Sequence, residues 1–206
     1  MKRKFISLKK YLEVNKKFFA FLTSIMLLTI IAGSVFSLTL NESDTILVSE
    51  FLSNYLESIT SKNIANKSLL SSSLIEVITF STAILLLGYS VVGSPLIMLL
   101  FFYKSFIIGF SISSILINYR VKGILLSILY IFPHQIISLL LLIILIINIT
   151  EVSFKIIQII FFKHDQKLDN LKIIKIFFII TLLLIILSLY GTLILPNIMK
   201  LFLTIK

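Results

Sequence analysis

The sequence predicts an all-α, polytopic integral membrane protein of about five transmembrane helices, its N-terminus cytoplasmic and its helices kinked or broken at Pro95 and Pro133. Three observations predict it. Of 206 residues, 58% are hydrophobic and 14% charged, with a mean hydropathy of +1.11, so there are too few polar residues to cover a water-soluble core. The apolar residues run unbroken over lengths near the roughly 20 that cross hydrocarbon as a helix, without the alternation over about ten residues that marks a barrel strand. Lys2, Arg3, Lys4, Lys9, Lys10, Lys16 and Lys17, opposed by Glu13 alone, precede the first apolar run, which places that end on the cytoplasmic side. Inside hydrocarbon each backbone N–H and C=O needs an internal partner, and a helix supplies one.

Residues 1–17 form the basic cytoplasmic N-terminus, and 18–40, free of charge, the first transmembrane helix. That run exceeds the about 7–15 residues of a signal-peptide core, so it reads as a retained span. Residues 41–73 form an extracytoplasmic amphipathic loop with Glu42, Asp44, Glu50 and Glu57 against Lys62 and Lys67. Within it Leu47, Phe51, Leu52, Tyr55, Leu56 and Ile59 recur at helical spacing, a stripe that packs on the chain's own bundle, lies on the membrane or grips a partner. Residues 74–149 form a membrane core of three spans. Leu74 to Val92 is the first, with Glu76 at its outer end, and Gly93-Ser94-Pro95 turns the chain into a second, Pro95 to Asn118. Pro suits a first helical turn because its missing N–H would be unpaired there anyway. Tyr119 to Gly123 turns into a third, Ile124 to Ile149, which Pro133 should kink or split. This topology leaves Arg120 and Lys122 outside, against the charge preference. Residues 150–175 form a cytoplasmic basic loop whose middle, Ile156 to Phe162, is apolar enough to lie along the membrane surface. Residues 176–206 are the last transmembrane helix and a short tail beyond Pro196.

Little in the chain suggests chemistry. It has no cysteine, which excludes disulfides and thiolate sites. His134 and His164, its two histidines, fall on different segments without an HExxH pattern, and there is no GxSxG or phosphate-binding glycine loop. No catalytic residue, metal or cofactor is expected. The net charge of +10 lies mostly beside apolar spans, where the bilayer's anionic headgroups are the nearer partner than nucleic acid.

Lys104 is the sharpest point, since a cation at the bilayer centre costs roughly 2.5–3.5 kcal/mol on insertion scales. Glu76, Glu151, carbonyls freed at Pro133 or a water-filled cavity would offset that, and its role is a structural ion pair, partner binding or a transport path. Ser105, Gly109 and Ser113 repeat every four residues, the small-residue spacing that lets membrane helices approach closely, within one chain or between copies in a homo-oligomer. Pro133-His134-Gln135 sets two polar side chains at a helix break, where they repair a freed carbonyl or line a path. Tyr103, Tyr119 and Tyr190 are candidates for an interfacial belt.

The order of these features resembles the stage II sporulation protein M family: a basic N-terminus, one span, an outward amphipathic loop, then Gly93-Ser94-Pro95-Leu96 leading into a helix with Lys104 and Gly109. The likeness continues through Lys122-Gly123, Phe132-Pro133-His134-Gln135 and Leu195-Pro196-Asn197-Ile198-Met199-Lys200, and its most specific stretch is Val92 to Pro133. His134 departs from the uncharged amide or small residue expected after that proline. The resemblance implies a non-catalytic membrane scaffold of endospore engulfment, which gathers the peptidoglycan-acting stage II sporulation proteins D and P at the septal membrane. The wider superfamily implies an alternative, a permease-like subunit associated with an ABC-type transporter, lining a path with Lys104, His134 and Gln135.

Overall fold

A computed structural model describes residues 15–60, 65–128, 132–162 and 169–195. They form α1 (Lys16–Leu38), α2 (Glu42–Thr60), α3 (Ala65–Gly88), α4 (Gly93–Leu126), α5 (Phe132–Phe162) and α6 (Asn170–Leu189), which continues into a π-helical turn, Tyr190–Ile194. No strand occurs among the described residues. Among the described residues five stretches are long and apolar enough to cross a membrane: Lys16–Leu38, Leu69–Gly88, Gly93–Leu125, His134–Phe161 and Asn170–Ile194. The chain is a multi-pass, all-helical membrane protein. The basic residues before Asn15, the loop residues Lys163 to Leu168 and the tail from Pro196 lie outside the described residues, as do the side chains of Tyr55, Ile59 and Pro133.

Contacts between helices fix how the spans run. Ile30, Gly33 and Ser37 of α1 meet Gly109, Phe110 and Ser114 of α4 in rising order, so these two helices are parallel. Glu76 meets Lys104 across antiparallel α3 and α4. Gly88 and Ser90 meet Ile149 and Ser153 of α5, while Ser73 meets Ser188 of α6. One end of the bundle therefore holds Lys16, the α3–α4 turn and the start of α6; the other holds α2, the Arg120 region and Gly191. α5 is the central helix, with Leu139, Ile143, Leu145, Ile146 and Ile147 wholly buried.

The α1–α4 contact is the most extensive. A Cβ at Gly33 would overlap the Phe106 carbonyl oxygen, and one at Gly109 the Ile30 carbonyl oxygen, so each helix needs glycine where the other's backbone passes. Ser34 Oγ lies 3.0 Å from the carbonyls of both Ile30 and Gly109, and Ser37 Oγ is 3.0 Å from Ser114 Oγ. The Phe36 ring covers this seam, 5.6 and 6.2 Å from Phe106 and Phe110. The seam belongs to one chain.

Several boundaries differ from the sequence expectation. α3 begins at Ala65 and its apolar stretch at Leu69, so Glu76 lies inside the span rather than at its end. The turn into α4 occupies Tyr89 to Val92, and Ser153 Oγ donates at 3.0 Å to the Ser90 carbonyl, which also accepts from the Gly93 N–H within the turn. Pro95 stands in the first turn of α4, and Pro133 is the second described residue of α5. The break that the structure does show within an element is at Arg120, whose φ of 47° and ψ of −123° split α4. Beyond it the chain folds back, for a Cβ at Gly123 would sit 2.5 Å from the Ile115 carbonyl oxygen. α5 runs past Ile149 to Phe162 as one helix. Its last nine residues, Phe154 to Phe162, extend about 13 Å beyond the level of the α3–α4 turn, where a surface-lying segment was expected.

Gly109→Ile should lower the melting temperature of the detergent-solubilised protein by an amount corresponding to about 1–3 kcal/mol or more, because the helices must separate; Val35→Leu, on the exposed side of α1, should leave it unchanged. Arg120→Gly should raise stability by about 1 kcal/mol by relieving the positive φ, and Arg120→Val should lower it.

Candidate functional site

Lys104 lies eleven residues into α4, and Glu76 twelve residues before the end of α3, so each stands about 17–18 Å from the shared turn and they meet at the same depth. The Lys104 ammonium donates to Glu76 Oε1. It also stands 5.8 Å from the centre of the Phe80 ring, one turn along α3 from Glu76, so the face of an aromatic quadrupole adds to the carboxylate's attraction. Of the two acids that sequence reasoning offered, Glu76 is the partner. Burial within the pair is unequal: the Lys104 side chain is 17% exposed and that of Glu76 58%. The cation is enclosed by its own chain, whereas the carboxylate opens outward.

The other expected site residues are dispersed. Glu151 lines a cavity of about 140 Å³ with Asn148, Lys155, Asp169 and Lys172 at the Lys16 end. Ser105 is fully buried and its hydroxyl has no hydrogen-bond partner, Ser113 is buried, and Gly109 faces α1. Gly93 closes the α3–α4 turn, where a Cβ would overlap the Leu87 carbonyl oxygen. His134 lies against α6: a Cβ at Gly191 would stand 2.9 Å from its Cδ2 and Nε2. That glycine lies within the π-helical turn, and such turns recur at functional positions. Gln135 is half-buried on α5. Leu47 and Phe51 of α2 are 64% and 70% exposed, while Leu52 packs on the core. Tyr119 and Tyr190 stand near span ends, but Tyr103 is beside Lys104 within the span. Among the described residues no group of three or more His, Asp or Glu lies close enough to hold a metal.

Sequence reasoning missed the α1 half of the packing seam. Gly33 and Ser37 have the same four-residue spacing as Ser105 and Gly109, and that was the available signal. It also missed Gly191, whose small size matters only once His134 is placed against it.

Lys104→Met should lower the level of folded protein in the membrane and its melting temperature in detergent, by on the order of 1 kcal/mol or more, since it strands a carboxylate at hydrocarbon depth. Lys104→Met with Glu76→Gln should recover most of that loss.

The comparisons bear on what such a bundle is. A family model described as stage II sporulation protein M matches residues 20–194, from the first turns of α1 through the π-helical turn. No curated protein and no solved structure matches the chain. The match spans all five membrane-crossing helices and α2, with the ion pair and the α1–α4 seam inside it. Family and fold together fit a sporulation membrane protein: the chain belongs to the stage II sporulation protein M family.

Proposed function

We propose that this protein is a non-catalytic membrane scaffold of the engulfment machinery in endospore formation, recruiting peptidoglycan-degrading partners to the septal membrane. Family membership supports the process. The observation that carries the scaffold reading is the placement of α2. This helix stands at the end of the bundle away from Lys16, with Glu42 and Asp44 favourably placed in its first turn. Its Leu52 is anchored on the core, while Ile46, Leu47 and Phe51 are exposed. With the basic N-terminus in the cytoplasm, α2 lies on the wall side. An apolar stripe there suits insertion into a groove of a partner, read at helical spacing. The resemblance suggests stage II sporulation proteins D and P as those partners, and hydrolysis of the wall is theirs. The protein then resides in the mother-cell membrane that migrates around the forespore.

The permease-like reading has less behind it. Lys104 is engaged by Glu76 and Phe80, whereas His134 is packed on Gly191 of α6, so the residues proposed to line one path have separate neighbours.

Leu47→Glu with Phe51→Glu should reduce co-purification of the wall hydrolases from sporulating cells by about tenfold or more, equivalent to about 1.4 kcal/mol of lost affinity, with unchanged membrane insertion. Undiminished recovery of the hydrolases would remove α2 from the interface.

A further inference from the structure

Where α5 and α6 pass the level of the α3–α4 turn, they carry charges of both signs into one cavity. Asn148, Glu151 and Lys155 follow one another at single-turn intervals along α5, and Asp169, Lys172 and Ile176 do the same at the start of α6. Between them lies the cavity of about 140 Å³ at the Lys16 end. Its two acids and two lysines are close enough to share a wall, yet among the described residues no ion pair joins any of them. Asp169 accepts from the Lys172 backbone N–H at 3.3 Å, which leaves its second carboxylate oxygen open. Deeper in, Asn148 is 8% exposed and its Nδ2 donates to the Ile144 carbonyl at 2.7 Å, while no hydrogen bond among the described residues holds its Oδ1. Polar groups gathered around a space without partners of their own call for a polar occupant.

Depth and chemistry indicate which occupant. Ser153 of α5 meets Ser90 of the α3–α4 turn, so Glu151 and Lys155 bracket the level at which the apolar spans end and lipid headgroups begin. The cavity is small beside the about 300–1,000 Å³ of pockets that enclose a whole ligand, so it suits one polar group of a molecule whose remainder lies outside. Lys155 and Lys172 suit phosphate oxygens. Glu151 and Asp169 would repel a purely anionic headgroup and suit an ammonium. A phosphate carrying an ammonium matches both pairs at once. Val152, Ile173 and Ile176 complete the wall, an apolar surface for the glycerol and the first methylenes of the tails.

We infer that this cavity binds the headgroup of a zwitterionic aminophospholipid of the cytoplasmic leaflet, with Lys155 and Lys172 on its phosphate and Glu151 and Asp169 on its ammonium. The inference does not rest on the scaffold reading, since the cavity is at the end of the bundle away from α2. The full chain, purified in a non-ionic detergent and given equal amounts of phosphatidylethanolamine and phosphatidylglycerol with matched tails, is read by native mass spectrometry. It should retain one phosphatidylethanolamine per chain, preferred over phosphatidylglycerol by about tenfold. Lys155→Gln with Lys172→Gln should retain neither lipid. Glu151→Gln with Asp169→Asn, which keeps an oxygen able to cap α6, should hold both lipids alike. The selectivity is read on the unaltered chain, so it stands even where a variant fails to fold. The inference is overturned if the unaltered chain holds the two lipids equally, or if the folded carboxylate variant keeps the preference. It is overturned equally if tail-free glycerophosphoethanolamine displaces the lipid at equal concentration, since that assigns the cavity to a soluble molecule.

Discussion

Inside a bilayer no water is released when two apolar helices meet, so close packing and internal polar contacts must hold the spans together. In this protein the constraint is met most fully where α1 passes α4. Gly33 and Gly109 let each backbone reach the other, and Ser34 and Ser37 turn that proximity into hydrogen bonds. Much of the arrangement follows from this contact. With α1 and α4 parallel, α3 must return between their ends, and α2 is left at the end away from Lys16. The antiparallel course of α3 against α4 then brings Glu76 to the depth of Lys104.

Serine contacts recur where helices need registration: Ser37 with Ser114, Ser73 with Ser188 at 2.6 Å, and Ser153 with the Ser90 carbonyl. Such interhelical bonds average about 0.6 kcal/mol in a membrane protein, so their value is in fixing register more than in stability. Lys104 is different in kind. A lone cation there would oppose insertion, and pairing with Glu76 together with the Phe80 ring offsets that cost while tying α3 to α4. Within the proposed scaffold, these contacts make the membrane domain a fixed base from which α2 projects.

The number of spans was legible in the sequence because charge-free runs of membrane length have few other uses. Their ends were less so. Ser71-Ser72-Ser73 read as loop, yet in an apolar setting serine hydroxyls bond back to their own helix, as Ser72 does to Leu69, and α3 continues through them. Glu151 and Lys155 suggested an exit from the membrane, but their four-residue spacing is compatible with a helix, and α5 carries on. The turn read across Tyr119 to Gly123 does contain the reversal, but it falls at Arg120, a residue type that gives no turn signal, while Gly123 serves close packing on Ile115. At the candidate site, the need of Lys104 for an acid was readable from the cost of burying charge. That Glu76 answers it depended on where α3 starts, which the serine run obscured.

The α1–α4 contact is the feature to measure first. Ser37 and Ser114 face each other at 3.0 Å, so Ser37→Cys with Ser114→Cys in the otherwise cysteine-free chain should form an internal disulfide in native membranes. The account predicts that it closes within a single chain, seen as faster migration of the monomer on a non-reducing gel and reversed by reductant. Two free thiols after oxidation, or a disulfide joining Ser37→Cys of one copy to Ser114→Cys of another, would contradict it.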